Sequence, residues 1–241
     1  MGGRLLSTSV SVAHCIEHRP AKKRLRSNIK QRIRLPFLHC YAAMVHEVRL
    51  VRNFTDLRIT NGVEMVRLLA VSGSLRQASS NSILLRAAER LCPEGVLVVH
   101  YEGLAELPHF NPDLLEDPPE AVIELRAIIG QADGLLFSCP EYARGIPGAF
   151  KNMLDWLVSS EEFPGKPVAL FNSSPRASHA QAALRLVLDT MSARIIEEAS
   201  ITVNLLSSRS SAESIATDPV TGPLIGTALG AFKRRLDNQN L

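Results

Sequence analysis

The chain has 241 residues, of which 46% are hydrophobic and 21% are charged, a composition typical of one or two globular domains. No apolar run is long enough to cross a bilayer, so we expect a soluble protein with no membrane partner. The four cysteines contain no CxxC pair, which argues against metal and dithiol redox motifs and favours a reducing, cytoplasmic setting.

The charge is divided unevenly along the chain. Residues 1–64 carry 12 Lys and Arg against 4 Asp and Glu, whereas residues 65–241 carry 15 against 20. No helical or strand period is sustained before Met65, so we predict a basic, disordered extension over 1–64 and a folded domain over 65–241. The extension could be a tail for an acidic partner, a transit-like segment, or the product of a start codon placed too far upstream of Met65. We favour the third explanation. The domain itself gives no basis for a nucleic-acid partner.

From Met65 onward, apolar runs alternate with helical patterns. We predict strands at 67–71, 96–101, 133–138, 167–172 and 199–203, and helices at 81–91, 120–131, 147–158, 178–192 and 222–238. The strands lack in-and-out alternation, which indicates an α/β fold with a parallel sheet and helices on both faces. Five such strands fit the doubly wound, flavodoxin-like order 2-1-3-4-5, whose ligand lies beyond the carboxyl ends of the strands.

The loop after the first predicted strand has the layout of an anion site. Residues 68–81 read LLAVSGSLRQASSN, a strand followed by a hydroxyl-rich loop and a helix start, where free amides and partial positive charge receive phosphate. Ser74, Ser79 and Asn81 can add donors, and Arg76 adds a planar cation. An ordinary turn in which Ser79, Ser80 or Asn81 caps the helix is an equal alternative. The loop matches neither GxGxxG nor GxxxxGK[ST].

The loops after the third and fourth strands are also unusual. Residues 138–148 read SCPEYARGIPG, a rigid loop whose amides could hold the edge of a planar heterocycle, with Tyr142 over one face. A plain connector is the alternative. Residues 172–179 read NSSPRASH; the small residues permit close approach of a ligand, although Ser178 could simply cap a helix and His179 could be a surface residue. We expect Cys139 to be a small loop residue and no nucleophile.

Taken together, these motifs resemble the NADPH-dependent FMN reductase family. The matching residues are GSLRxxSxN after the first strand, PEY after the third, and IPGxxKNxxDW at the next helix. The resemblance implies a flavodoxin-like oxidoreductase that uses FMN and takes electrons from NADPH or NADH. By position, Ser74, Arg76, Ser79, Ser80 and Asn81 would bind the FMN phosphate, while Pro140, Glu141, Tyr142 and Ala143 would line the isoalloxazine. Ser173 and Ser174 would approach the ring from the fourth-strand loop.

The chain departs from the family pattern at two places. Ala143 stands where the pattern usually has Asn, and the 172–179 loop lacks the usual glycines. We read Lys151, Asn152, Asp155 and Trp156, which match the helix pattern, as structural or interface residues.

The resemblance implies that hydride passes from NAD(P)H through FMN to a small acceptor, such as a quinone, chromate, an azo compound or free flavin. The flavin would carry the chemistry, so no catalytic side chain and no metal are expected. The alternatives are a flavodoxin-like electron carrier and a regulatory domain that has lost its cofactor. The resemblance also implies a homodimer or homotetramer.

Overall fold

The computed structural model describes residues 59–60, 63–205 and 211–238, with side chains from Met65 onward. The predicted extension therefore lies almost entirely outside the described residues. The main sheet consists of Val66–Ser72 (β1), Val96–His100 (β2), Gly134–Ser138 (β3), Pro167–Asn172 (β4), Arg194–Ile195 (β5) and Ile201–Thr202 (β6). The helices are Ser80–Arg90 (α1), Glu120–Gln131 (α2), Gly148–Leu157 (α3), Ser178–Thr190 (α4), Ala212–Ala216 (α5) and Thr221–Asp237 (α6). Within these ranges no helix is long and apolar enough to cross a membrane.

The strands of the main sheet pair in parallel in the order β2-β1-β3-β4-β5. Strand β6 also pairs in parallel with β4, at residues further along β4 than those that pair with β5. This order confirms the flavodoxin-like fold that the sequence predicts. Ser72 and Ser138 are register partners at the ends of β1 and β3. The loops that follow these strands therefore start side by side at the carboxyl edge of the sheet, where ligands of this fold class bind.

Burial on both faces explains why the central strands show no alternation. Leu69 and Val71 belong to a core with α2, α3 and α4, whereas Leu68 and Ala70 belong to a second core with α1, α5 and α6. Successive side chains of a strand point to opposite faces, so a strand covered on both sides needs an apolar residue at every position.

The fifth strand differs from the prediction of a single strand at 199–203. It consists of β5 and β6, separated by a 3₁₀ turn at Glu197–Ala199. Ile195 lies opposite Val168 and Ile201 lies opposite Phe171. The segment from Ile195 to Ile201 has more residues than the segment of β4 from Val168 to Phe171 that it borders. The 3₁₀ turn accommodates the extra residues.

The remaining differences lie at element ends. Pro147 precedes the first helical residue of α3 instead of lying within its first turn. Helix α4 ends at Thr190, two residues early, and Ser192 beyond it has a left-handed φ of 60°. Helix α5 and the short antiparallel pair Ile59–Thr60 and Val63–Glu64 were not predicted.

The loop between β2 and α2 is fastened to α3. Asn152 accepts a hydrogen bond from the Phe110 amide at 2.7 Å and donates to the Pro108 carbonyl at 2.9 Å. The indole N–H of the buried Trp156 donates to the same carbonyl at 2.8 Å. Lys151 and Asp155 pair along the helix. Asn152 and Trp156 therefore have structural contacts, which agrees with the reading of the KNxxDW residues as structural or interface residues.

Two glycines provide a matched test of the packing. A Cβ at Gly134 would lie 2.7 Å from the Phe232 ring of α6, whereas a Cβ at Gly226, inside α6, would meet nothing within 4 Å. We expect Gly134→Ala to destabilise the protein by about 2 kcal/mol through overpacking. Gly226→Ala should stabilise it by up to about 1 kcal/mol through helix propensity. Urea unfolding monitored by circular dichroism checks both, and equal midpoints for the two variants would contradict the packing described.

Candidate functional site

A buried hydrogen-bond network joins the three loops at the carboxyl edge of the sheet. The Asn81 side-chain oxygen accepts from the Ser138 hydroxyl at 2.9 Å and from the Ser173 hydroxyl at 3.0 Å. These residues lie on α1, at the end of β3 and just after β4, and all three are buried. Because a buried polar group is costly unless it is hydrogen-bonded, the network fixes the ends of these elements relative to one another.

Ser79 caps α1, as the alternative reading of the first loop proposed. Its hydroxyl accepts from the Ser82 amide at 3.0 Å and lies 2.8 Å from the Ser82 hydroxyl, which donates to Ser72 at 2.9 Å. This cap uses one first-turn amide. The amides of Ser80 and Asn81 precede it in the first turn, where helix geometry provides no intrahelical acceptor. Capping and anion binding are therefore compatible at this helix start.

Ser74 links the first loop to the third. Its hydroxyl accepts from the Arg76 amide at 3.3 Å and lies 3.2 Å from the Tyr142 hydroxyl. The preceding Gly73 donates its amide to the Ser138 carbonyl at 2.8 Å, and a Cβ there would come within 3.1 Å of the Pro140 ring. The absence of a side chain at Gly73 is what allows the two loops to approach. Arg76 is exposed to solvent.

The third loop contains a tight reverse turn. Tyr142 and Gly145 exchange two backbone hydrogen bonds, at 3.1 and 3.0 Å, and Ala143 and Arg144 between them have φ values of 49° and 60°. Positive φ at both central residues is typical of a type I′ turn, which favours Asn and Gly. The Asn of the family pattern suits this conformation, whereas Ala143 adopts it at a conformational cost. The turn leaves the Tyr142 side chain 54% exposed.

The Glu141 carboxylate caps a neighbouring helix. It accepts from the Ala180 amide, in the first turn of α4, at 3.0 Å. The alternative reading expected Ser178 to cap this helix, which is wrong: Ser178 is the first helical residue, and α4 has no cap from its own N-cap side chain. The negative charge of Glu141 is stabilised by the partial positive charge at the N-terminus of α4. This contact links the third loop to the helix that follows the fourth loop. His179 is exposed, as expected.

The fourth loop is ordered by its own side chains. Ser174 donates its amide to the Asn172 side chain at 3.2 Å, and its hydroxyl accepts from the Arg176 amide at 3.1 Å. The Ser173 carbonyl accepts from the Leu205 amide at 3.1 Å. The loop is therefore a defined turn even without the glycines of the family pattern.

The sequence analysis missed three members of this site. Ser138 and Ser82 join the networks around Asn81 and Ser79, and Ser72 accepts from Ser82. The signal for Ser138 and Ser72 was their position as the polar last residues of buried strands. Among the described residues, no group of three His, Cys, Asp or Glu side chains could hold a metal ion.

Cys139 provides a test of the site's packing. Its side chain is 1% exposed, and burial raises the pKa of the thiol to about 12. At pH 8 only about one thiol in ten thousand would then be ionised, and the thiolate is the reactive form. We expect Cys139 to resist iodoacetamide at pH 8 in the native protein and to react readily in urea. Peptide mass spectrometry reads this residue separately from the other three cysteines, and rapid native labelling of the Cys139 peptide would contradict its burial.

The chain is similar to several named reductases. The sequence model described as NADPH-dependent FMN reductase matches residues 66–205. A rice protein named "Probable NADPH:quinone oxidoreductase 2" is 42% identical over 95 residues, which cover 38% of this chain and 47% of that protein. The quinone reductase of Escherichia coli K12 is 29% identical over 191 residues, covering 72% of this chain and 98% of the relative.

Solved structures agree with the sequence matches. FerB, a flavoenzyme NAD(P)H:(acceptor) oxidoreductase from Paracoccus denitrificans, aligns with a TM-score of 0.59 at 27% identity, covering 72% of this chain and 98% of FerB. An NADH:FMN oxidoreductase named EMOB shares the fold, with a TM-score of 0.53 at 22% identity. The fold, the three loops at its carboxyl edge and the match over 66–205 show that the chain belongs to the NADPH-dependent FMN reductase family.

Proposed function

We propose that the protein is an NAD(P)H oxidoreductase that uses FMN to reduce a small acceptor, such as a quinone, chromate, an azo compound or free flavin. The observation that carries this proposal is the Asn81 network, which holds the three ligand-bearing loops of the fold at one edge of the sheet. The names of the rice and E. coli relatives favour a quinone among these acceptors.

The first loop fits a phosphate. The start of α1 offers the amides of Ser80 and Asn81, and its partial positive charge favours an anion. Ser79 holds this helix start in place, and Ser74 orients the chain through the Arg76 amide. The guanidinium of Arg76 is exposed and can turn toward a phosphate at the helix start.

The third and fourth loops fit the ring of the cofactor. Pro140, Glu141, Tyr142 and Ala143 would line its edge. Backbone groups would come from Glu141 and Ala143, because the Glu141 side chain caps α4 and the Tyr142 amide and carbonyl bond to Gly145. Ser173 and Ser174 would approach from the other side. FMN, when bound, would supply the acceptance of hydride from NAD(P)H and its transfer onward. The chain's own residues would position the cofactor and leave one side of it open.

Two further candidates share the fold. An electron carrier without NAD(P)H activity would suit a strongly acidic surface with aromatic residues around the cofactor; here the three loops carry one aromatic residue, Tyr142, and one carboxylate, Glu141. The missing glycines of the 172–179 loop are the main support for a domain that has lost its cofactor, but this loop is still a defined turn. The reductase is therefore favoured. As part of the same proposal, the protein acts in the cytoplasm as a homodimer or homotetramer.

NADPH oxidation with a quinone acceptor, supported by either FMN or riboflavin, tests this function. The two flavins differ in the phosphate, so wild type should reach half-maximal rate at a much lower FMN than riboflavin concentration. Arg76→Ala removes one charge-assisted contact to the phosphate. We expect it to raise the half-maximal FMN concentration about fivefold to tenfold, because the contact is partly screened by solvent. The half-maximal riboflavin concentration should change less than twofold.

Arg86→Ala is the matched control, since Arg86 lies further along α1 and faces Glu102 at 3.9 Å. Arg86→Ala should leave the half-maximal concentrations of FMN and of riboflavin unchanged. No NADPH oxidation with either flavin would refute the proposed function. Equal effects of Arg76→Ala on FMN and riboflavin would refute the placement of the phosphate.

A further inference from the structure

The three loops of the site carry an unbalanced positive charge. Arg76, Arg144 and Arg176 each belong to a different loop, and all are exposed. Residues 72–79 and 172–179 contain no Asp or Glu, and residues 139–147 contain only Glu141. That carboxylate lies on the Ala180 amide. This concentration of positive charge contrasts with the excess of Asp and Glu over residues 65–241.

Four of the eight described arginines outside the three loops pair with carboxylates. Arg67 pairs with Asp133 at 2.8 Å, Arg90 pairs with Glu213 at 2.6 Å, and Arg185 pairs with Glu197. None of the three loop arginines has a carboxylate within salt-bridge distance among the described residues. A guanidinium without a protein partner, beside a ligand site, is available to an anionic group of the ligand.

The proposed function accounts for only one of these cations. Arg76 is assigned to the phosphate of the cofactor, which leaves Arg144 and Arg176. Arg144 extends from a closed turn with a fixed backbone. Arg176 lies within a turn in which Ser174 accepts from two amides: its hydroxyl from Arg176 at 3.1 Å and its carbonyl from Ala177 at 3.2 Å. Both side chains therefore extend from ordered backbone, which reduces the entropy lost when they bind.

We propose that Arg144 and Arg176 determine specificity for an anionic group on the molecule that enters the open side of the site. This inference rests on the proposed function. The anionic group is either the 2′-phosphate of the nicotinamide donor or a charged substituent of the acceptor, because the two molecules would use the same side in turn. In either case the arginines contribute attraction and orientation. They take no part in the chemistry, and they act on the charged molecule more than on its uncharged counterpart.

Two matched pairs of substrates separate the sources of the charge. NADPH and NADH differ only in the 2′-phosphate, and 1,4-naphthoquinone-2-sulfonate differs from 1,4-naphthoquinone in the sulfonate. For each pair the readout is the ratio of kcat/KM for the charged member to that for the uncharged member, measured at low ionic strength with FMN-loaded protein. The variants are Arg144→Gly, Arg176→Gln and the double substitution. Gly suits the φ of 60° at position 144, so this variant removes the charge without new strain.

We expect each single substitution to lower the ratio about threefold to tenfold in at least one pair, and the double substitution to lower it further. A fall in the NADPH/NADH ratio assigns the anion to the donor, and a fall in the sulfonate ratio assigns it to the acceptor. Arg144→Lys and Arg176→Lys should recover part of the loss because they keep the charge. High salt should shrink the difference between wild type and the variants.

Arg235→Gln is the control for a general loss of positive charge. Arg235 is exposed in the last turn of α6, where Leu236 packs near Gly134 at the amino end of β3, so it lies at the opposite edge of the sheet. It should leave both ratios unchanged. Turnover with unchanged ratios in Arg144→Gly, Arg176→Gln and the double variant would overturn this inference while leaving the proposed function intact. Absence of NADPH oxidation in wild type would instead overturn the proposed function.

Discussion

The hydrogen bonds between Asn81, Ser138 and Ser173 are the interaction on which the rest of the site depends. One buried amide oxygen accepts from two hydroxyls, at 2.9 and 3.0 Å, and so joins α1 to the ends of β3 and β4. Parallel pairing alone brings these elements to one edge but leaves the loops free to separate. The network fixes their spacing, because opening it would leave three polar groups buried without partners. The cap of α1, the Ser74–Tyr142 contact and the close approach at Gly73 lie around this fixed centre.

A charged carboxylate, instead of buried hydroxyls, makes a second link between the elements of the site. The Glu141 carboxylate reaches from the third loop to the start of α4, where it neutralises part of the helix dipole. As a result, the acidic residue of the PEY motif acts on the scaffold, and its backbone remains available to a ligand. The positive charge left at the site then comes from the helix start of α1 and from three arginines. This arrangement suits a phosphorylated cofactor and charged partners in a domain that is otherwise mildly acidic.

Much of the fold follows from the sequence because strong local signals agree with the tertiary structure. The continuous apolar runs of β1, β3 and β4 indicate strands buried on both faces, and α2 and β4 have the predicted bounds. The sequence could not predict the division of the fifth strand. Arg194–Ile195 is two residues long, begins with a charged side chain and is a strand only through pairing with β4. Helix α5, at five residues, is similarly too short to show a period.

The sequence predicts which loops form the candidate site, but it does not predict the contacts between them. The residues of the first loop could be predicted as an anion site because helix starts have a general chemistry. The roles of Ser138 and Glu141 depend on partners 57 and 39 residues away in sequence, and no local pattern shows such pairings. The left-handed turn at Ala143 and Arg144 was also hidden, because neither residue type indicates positive φ.

The central claim is that this edge of the sheet holds FMN and accepts electrons from a nicotinamide. The most direct measurement is the visible absorption spectrum of the purified full chain, with FMN added if needed, before and after NADPH is introduced without oxygen. The account predicts the visible spectrum of bound oxidised flavin, which bleaches on addition of NADPH. A flavin spectrum that persists under NADPH, or no flavin binding at all, would contradict it.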